Sequence, residues 1–111
     1  MTFCNNNLSE KRWFELSFFD QMANMGCEVG RAINWKTKYP DKSKLAVEST
    51  LELLDLTIID KKNHSAAKLK ELCILREALV DYFMFDNIYG SSDEKWNNYF
   101  YAFNYAARLN H

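Results

Sequence analysis

The chain has 111 residues and a mass of 13.1 kDa, which is enough for one compact domain and too little for two. Hydrophobic residues make up 48% and charged residues 26% of the sequence, a balance typical of a folded globular protein rather than a disordered tail or a fibre. Fourteen Lys and Arg residues against fifteen Asp and Glu residues give a net charge of −1. Because non-specific binding to nucleic acid depends on excess positive charge, this balance argues against nucleic acid as a partner.

Turn-forming residues are scarce in this sequence, and bulky residues are common. It contains three glycines and one proline, whereas aromatic residues make up 15% of the chain. A sandwich or barrel of many short strands needs more turn-forming residues than this. We therefore expect an all-α protein with a single domain over residues 1–111, in which residues 1–8 are frayed.

The first predicted helix spans about residues 18–38. Ser17 precedes it as an N-cap, with an acidic partner three positions later. Because the residue before a proline is disfavoured in the α region, Pro40 marks the end of the helix. Apolar residues recur within it at spacings of three and four, which is the helical period, at Phe18, Met22, Met25 and Val29.

The second predicted helix spans about residues 42–60, with Asp41 or Ser43 as its cap. Two rows of apolar residues follow this helix, which predicts burial on two of its sides. One row contains Leu45, Leu53, Leu56 and Ile59, and the other contains Val47, Leu51, Leu54 and Ile58.

Two further helices complete the predicted fold. The third spans about residues 65–86, after a polar break in which Ser65 is a candidate cap. The fourth spans about residues 92–109 and begins at Ser91 and Glu94, whose spacing is that of a capping box. Loops of about three to six residues set neighbouring helices antiparallel. We therefore expect an up-down-up-down four-helix bundle.

A polar stripe on the first helix is the main candidate binding site. Its members share one side of the helix because they are separated by four, three and four positions: Asn24, Glu28, Arg31 and Trp35. Glu28 and Arg31 can form an ion pair, and a buried ion pair is better explained by specificity or a ligand than by stability. Arg76 and Asp81, beside the apolar row of the third helix, are the charged groups expected to join them. An ordinary ion pair at a helix seam is the alternative.

An acidic row on the second helix suggests a different function. Glu48, Glu52 and Asp55 are separated by four and three positions. Glu52 and Asp55 match one half of the pattern with which all-α nucleotide pyrophosphohydrolases hold Mg²⁺, a hard cation that takes oxygen ligands. The other half is missing, because Arg31 follows Glu28 at the matching position. The alternatives are a solvated acidic face and a nucleotide- or nucleic-acid-associated bundle, such as a degenerate Mg-dependent nucleotide phosphohydrolase.

Other catalytic and metal-binding patterns find no match in the sequence. The two histidines are His64 in a predicted loop and His111 at the last position, so a di-iron bundle with two Glu-x-x-His motifs cannot be built. Phosphate-binding loops, nucleophile elbows and zinc spacings are also missing. We therefore expect no catalytic residue, no metal ion and no cofactor.

The sequence further predicts a cytoplasmic protein that does not enter a membrane. Its first residues lack the basic and apolar regions of a signal peptide, and no stretch approaches the roughly 20 apolar residues that a membrane helix needs. The three cysteines, Cys4, Cys27 and Cys73, form no CxxC pair, and their odd number favours reduced thiols.

Aromatic residues lie on more than one side of the fourth predicted helix. Trp96 and Phe103 belong to the expected core row. Tyr101, Tyr105 and Arg108 fall on another face, and Tyr and Arg are enriched where a second protein covers a surface. We expect this face to be an interface, with scattered surface tyrosines as the alternative.

Four segments of the chain carry a resemblance: NMGCEVGRAINWK at 24–36, LELLDLTI at 51–58, LREALVDYF at 75–83 and DNIYGSS at 86–92. They resemble a family of small prokaryotic all-helical proteins of uncharacterised function, over about Trp13 to Leu109. The resemblance implies a four-helix bundle and no particular activity. In general shape the chain is also similar to the basic accessory proteins of diversity-generating retroelements, whose basicity it lacks, and to bundle proteins encoded in ribosomal-RNA intervening sequences.

Together these patterns favour a non-enzymatic helical-bundle interaction protein. We expect it to self-associate or to dock on a protein partner through the fourth helix and the stripe on the first. The nucleotide-associated alternative requires Glu28, Glu52 and Asp55 to converge within reach of one cation, whereas the interaction function does not.

Overall fold

A computed structural model of the protein describes residues 9–109. A short 3-10 turn (Lys61–Asn63) lies between the third and fourth of the helices in this range. These α-helices are α1 (Glu10–Glu15), α2 (Phe18–Trp35), α3 (Pro40–Ile59), α4 (Ala66–Met84) and α5 (Asp93–Leu109). No strand occurs among the described residues, which confirms the all-α prediction for them. The predicted fraying of residues 1–8 lies outside the described part of the chain.

Serine caps begin four of the described helices, α1, α2, α4 and α5. The hydroxyls of Ser17 and Ser65 each accept a hydrogen bond from the amide three residues later, at 3.1 and 3.2 Å, as the sequence predicts. The capping box predicted for the last helix is displaced by one residue, because Ser92 is the residue that caps α5. Ser91 instead donates its amide N–H to the side chain of Asn87, at 2.8 Å.

Helix α3 begins two residues earlier than predicted, and neither Asp41 nor Ser43 caps it. It starts at Pro40 without a side-chain cap, since proline has a suitable φ for the first helical position and lacks an N–H that would go unpaired there. The Ser43 hydroxyl instead donates to the backbone oxygen of Ala32 on α2, at 2.6 Å. This bond ties the start of α3 to the end of α2.

The buried side of α3 differs from the apolar rows predicted for it. Leu45 and Ile59 are 63% and 62% exposed, so the expected burial of their row is wrong at both ends. The buried side includes Thr50 and Thr57, whose hydroxyls donate to backbone oxygens four residues earlier, at 2.8 and 2.7 Å. Because those bonds satisfy the hydroxyls within the helix, threonine can be buried there.

Helix α1 is an element that the sequence analysis missed. Its six residues are too few to display a helical period. Trp13 at its centre is nevertheless fully buried, and the indole N–H donates to the Thr57 hydroxyl at 3.0 Å. The Gln21 side chain donates to the Trp13 backbone oxygen, also at 3.0 Å. These bonds attach α1 to both α2 and α3.

Helix α2 is the centre of the packing, since it contacts both α3 and α5. Lys36, just beyond its last residue, pairs with Asp93 at the start of α5, and Phe18 at its first residue packs edge-on against Phe103 near the end of α5. The main core cluster is formed by Trp13, Met22, Met25, Val29, Leu54, Leu72, Leu75, Leu79, Trp96 and Phe100.

The seam between α4 and α5 differs from the others. Helix α4 packs against α3, but among the described helices α4 and α5 share no comparable backbone contact. Tyr99 of α5 bonds to Glu71 of α4, and Tyr82 of α4 bonds to Asp93 of α5, so side chains connect them. A closed four-helix bundle is therefore not confirmed by these contacts.

Candidate functional site

The polar stripe predicted on the first long helix lies on α2, and its polar groups are engaged within the protein. Glu28 is buried and forms an ion pair with Arg31 one turn later. The Asn24 side-chain amide donates to the backbone oxygen of Asp20, at 2.9 Å, and neither Asn24 nor Arg31 is free. Trp35 packs beside the small cluster that joins α2 to α3. A binding role for the stripe stays a prediction.

Arg76 and Asp81, the expected companions of the stripe, make other contacts. The Arg76 guanidinium pairs with Asp55 of α3, at 2.8 Å from Nε to Oδ1. The buried Asp81 carboxylate accepts the backbone N–H groups of Ile88 and Tyr89, at 2.9 and 3.0 Å. Both residues therefore stabilise neighbouring segments, and no described contact joins them to Glu28 or Arg31.

The loop that Asp81 holds presents apolar side chains to solvent. Phe85 and Ile88 are 72% and 82% exposed. Asn87 has a positive φ of 54°, and its side-chain amide donates to the Ser91 backbone oxygen at 2.9 Å. The exposed residues thus stand on a backbone that side-chain hydrogen bonds hold in place.

The acidic row on α3 is exposed to solvent. Glu48 and Glu52 lie on the surface, and Asp55 is the carboxylate that pairs with Arg76. The third carboxylate of the proposed cation site, Glu28, pairs with Arg31 instead. Within residues 9–109, no group of three or more His, Cys, Asp or Glu side chains is placed to hold a metal ion.

Three charged and polar groups meet where α2 ends and α5 begins. The Lys36 ammonium lies 2.8 Å from an oxygen of Asp93 and 3.1 Å from the Tyr82 hydroxyl, and that hydroxyl donates to Asp93. The bonds from Lys36 and Tyr82 lower the pKa of Asp93. Burial and the adjacent Asp93 carboxylate raise the pKa of Tyr82, which keeps its hydroxyl protonated as a donor. The cluster fixes the start of α5 against α2 and α4.

A groove of about 550 Å³ lies between α4 and α5, and no motif or spacing in the sequence indicates it. It is the open part of the α4–α5 seam, and mostly apolar side chains line it. The Tyr99 hydroxyl donates across the seam to Glu71, at 2.9 Å, and burial together with the Glu71 charge raises the pKa of Tyr99. Trp96, which lines the groove, is 94% buried, and its indole N–H has no acceptor among the described residues.

The residues predicted to form an interface lie on the outer face of α5, defined here by Tyr101, Tyr105 and Arg108. Tyr101 is 62% exposed and Tyr105 is 53% exposed, and Arg108 is also exposed. Leu109, one turn beyond Tyr105, adds an apolar side chain that is 69% exposed. The opposite side of the same helix packs into the core, where Trp96 is buried. The tyrosines are thus available to another molecule.

The two described cysteines are in different states. Cys27 on α2 is disulfide-bonded, whereas Cys73 on α4 is free and exposed; Cys4 lies outside the described residues. The expectation of reduced thiols is therefore wrong for Cys27, because linear spacing does not reveal which thiols meet in the fold.

No helix in the described part of the chain combines the length and the apolar character needed to cross a bilayer. Comparison with known proteins identifies no relative: no family model, curated protein or solved structure matches the chain at a significant level. The resemblance to a family of small prokaryotic helical proteins therefore stays a prediction. What the chain does has to be argued from its own surfaces.

Proposed function

We propose that this protein is a non-enzymatic interaction protein that associates with a second copy of itself or with another protein through the outer face of α5. One observation carries the proposal: Tyr101 and Tyr105 stand 62% and 53% exposed on a helix whose other side already fills the core. Tyrosine offers a large, amphipathic contact area, and Arg108 beside them is of the other residue type enriched in such contacts.

The buried and exposed rows of α5 support a second protein, rather than the core, as the contact of Tyr101 and Tyr105. Trp96 and Phe100 are 6% and 4% exposed, and their rings stack with centroids 6.1 Å apart. Tyr101, Tyr105 and Leu109 follow one another at four-residue intervals, which puts them on a single side of the helix. An interface there would cover apolar surface that contributes nothing to folding.

The proposal includes an up-down-up-down four-helix bundle formed by α2 to α5 in the cytoplasm of a prokaryotic cell. Contacts between opposite helix ends support the antiparallel arrangement. Ser43 near the start of α3 bonds to Ala32 near the end of α2, and Lys36 after α2 pairs with Asp93 at the start of α5.

Sedimentation velocity on a double variant, Tyr101→Lys with Tyr105→Glu, tests the proposal. The wild type is expected to sediment heavier than its 13.1 kDa chain, and the variant at the monomer mass with its helical circular dichroism kept. Tyr89→Lys, which changes another tyrosine of similar exposure (56%), is the matched control and should associate as the wild type does.

Three results would contradict the proposal. A wild type that stays monomeric at every concentration removes self-association, and a pull-down partner retained equally by the double variant removes docking through this face. A variant that unfolds would assign the rings to the core, since the loss of a buried aromatic costs about 3–5 kcal/mol. Saturable, Mg²⁺-dependent binding of a nucleoside triphosphate would instead favour the phosphohydrolase alternative, which no contact within residues 9–109 specifically supports.

A further inference from the structure

Helix α4 has a second row of residues beside its buried core row, and this second row forms one wall of the α4–α5 groove. Its last member, Ala78, also packs against the core. The second row consists of residues separated by four, three and four positions: Ala67, Glu71, Ile74 and Ala78. This spacing is that of the seam with which one helix packs against another in a coiled coil. Ile74, the largest apolar member, is 52% exposed. The row therefore has the pattern of a helix-packing surface without a described helix on it.

The opposite wall belongs to α5, where Lys95 and Tyr99 are one turn apart. The Tyr99 hydroxyl donates to Glu71 at 2.9 Å, so one side-chain hydrogen bond links the two walls. The row from Ala67 to Ala78 covers eleven residue steps, about 16 Å or three turns at 1.5 Å per residue. Three turns is the length over which an amphipathic helix places its i, i+3 or i+4, and i+7 side chains in a groove.

The charge of the groove is opposite to that of the whole protein. Lys70 on α4 and Lys95 on α5 line its two walls, and Glu71 is the one carboxylate that lines it. Glu71 accepts a hydrogen bond from Tyr99. With two lysines and one glutamate, the groove lining has a net charge of +1, whereas the chain as a whole has a net charge of −1. An occupant with acidic residues beside its apolar seam would meet a lysine on either side.

We propose that the α4–α5 groove binds an amphipathic α-helix of a different protein, with small or branched apolar residues along its seam and Glu or Asp residues beside it. The heptad spacing on α4 calls for a helix, and the alanines at the two ends of the row permit a close approach of its backbone. Ile74 at the centre inserts between the apolar residues of the partner. The proposal concerns a different surface from the outer face of α5 and stands without it.

Two exposed rows on the described helices, one on α5 and one on α3, do not fit the groove, which supports a different protein as the occupant. The outer face of α5 has an apolar row, but its charged neighbours, Glu94 and Arg108, have opposite signs and give it no acidic edge. On α3 the row from Leu45 to Ile59 has acidic residues, Glu48 and Glu52, in place of a continuous apolar seam. Neither row combines the two features that the groove requires.

Selection from a displayed library of helical peptides tests the proposal. All peptides have apolar residues at seam positions, with Glu at the flanking positions in one half of the library and Lys in the other half. The wild-type protein is expected to enrich Glu-flanked peptides. For an enriched peptide, Ile74→Glu should weaken binding at least tenfold, and Lys70→Glu by a few-fold, with circular dichroism unchanged. Lys11→Glu on α1 is the matched charge control and should bind as the wild type does.

Several outcomes would overturn this assignment. These are the absence of any enriched peptide, equal enrichment of the Lys-flanked half, and unchanged binding by Ile74→Glu. Binding of the dye ANS that Ile74→Glu abolishes, with no peptide selected, would assign the groove to a small apolar ligand instead. The variant Tyr101→Lys with Tyr105→Glu separates the two surfaces, since it is expected to lose self-association and still bind the peptide.

Discussion

Helices α2 and α4 have similar lengths, 18 and 19 residues, and opposite surroundings. Nine residues of α2 are buried, including the polar residues Asp20, Gln21, Asn24 and Glu28. Only four residues of α4 are buried, and the apolar Ile74 is left half exposed. The number of neighbouring elements decides burial here, because α2 packs against two long helices whereas α4 packs closely against α3 alone.

A polar cluster at one end of α2 shows that a helix at the centre of the packing needs hydrogen-bond partners for its buried polar side chains. The Gln21 side chain is completely buried, and it donates to Asp60 at 2.9 Å while accepting from Asn63 at 3.0 Å. A buried amide without partners would destabilise the fold. The hydrogen bonds of Gln21 therefore stabilise the α2 side, whereas the α4–α5 side leaves the apolar Ile74 half exposed. Changes on the two sides should affect stability and binding separately.

The largest expected loss of stability is that of Trp13→Ala, which would show that α1 belongs to the α2 side. Trp13 is 1% exposed and donates to Thr57, so its removal leaves a cavity and takes away the hydrogen bond that the Thr57 hydroxyl accepts. We expect a loss of about 3–5 kcal/mol in the free energy of unfolding, measured by urea denaturation. The neighbouring Phe14, 36% exposed, is the control, and Phe14→Ala should cost far less. Equal losses in free energy of unfolding for the two variants would contradict the assignment of Trp13, and with it α1, to the buried α2 side.

A pair of glycine substitutions on α2 is expected to give effects of opposite sign. A Cβ at Gly26 would lie 2.7 Å from the Phe100 Cβ, whereas one at Gly30 would meet nothing within 4 Å. Gly26→Ala should destabilise by a net amount of about 1–2 kcal/mol, since overpacking outweighs the gain in helix propensity. Gly30→Ala should stabilise by up to about 1 kcal/mol. Thermal melts of both variants give the signs, and two stabilising results would refute the close approach of α2 and α5.

Acid should destabilise the α2 side through Asp60, by less than Trp13→Ala or Gly26→Ala does. Burial alone would raise the pKa of this carboxyl, but hydrogen bonds from Lys62 and Gln21 outweigh burial and lower the pKa below its usual 3.8. The stability that results is present above that usual value and is lost as the pH falls through the lowered pKa. Urea denaturation from about pH 6 to about pH 2 should show a shallower acid-induced loss for Asp60→Asn than for the wild type. Identical slopes would mean that Asp60 contributes nothing to the acid response.

The smallest expected effect is on the exposed side of α4. Arg76 and Asp55 are paired at 2.8 Å, with side chains 41% and 57% exposed. A double-mutant cycle of Arg76→Ala and Asp55→Ala should give a coupling of only about 0.2–1 kcal/mol, as is usual for a solvated ion pair. The coupling should fall further in high salt. A value of several kcal/mol would mean that this side of the molecule also depends on buried polar contacts.

Local signals in the sequence predict much of the secondary structure and little of the candidate site. The hydroxyls of Ser17 and Ser65 cap their helices as predicted, because a cap depends only on residues a few positions apart. Trp13 was missed, since a six-residue helix has no visible period. The groove was missed as well, because its two walls come from α4 and α5 and no pattern within one helix shows that the two approach each other.

By itself the sequence determined the all-α class, the approximate positions of four long helices and the aromatic outer row of α5. These features follow from periodicity, caps and the scarcity of turn residues, which act within one helix or one loop. Only the tertiary structure decided that Thr57 and Gln21 are buried while Leu45 and Ile74 are exposed, and that Arg76 pairs with Asp55. Burial and pairing depend on which helices approach each other, and the polarity of a residue does not reveal which ones do. A central helix can bury polar groups that have hydrogen-bond partners, and an open seam can leave apolar side chains exposed.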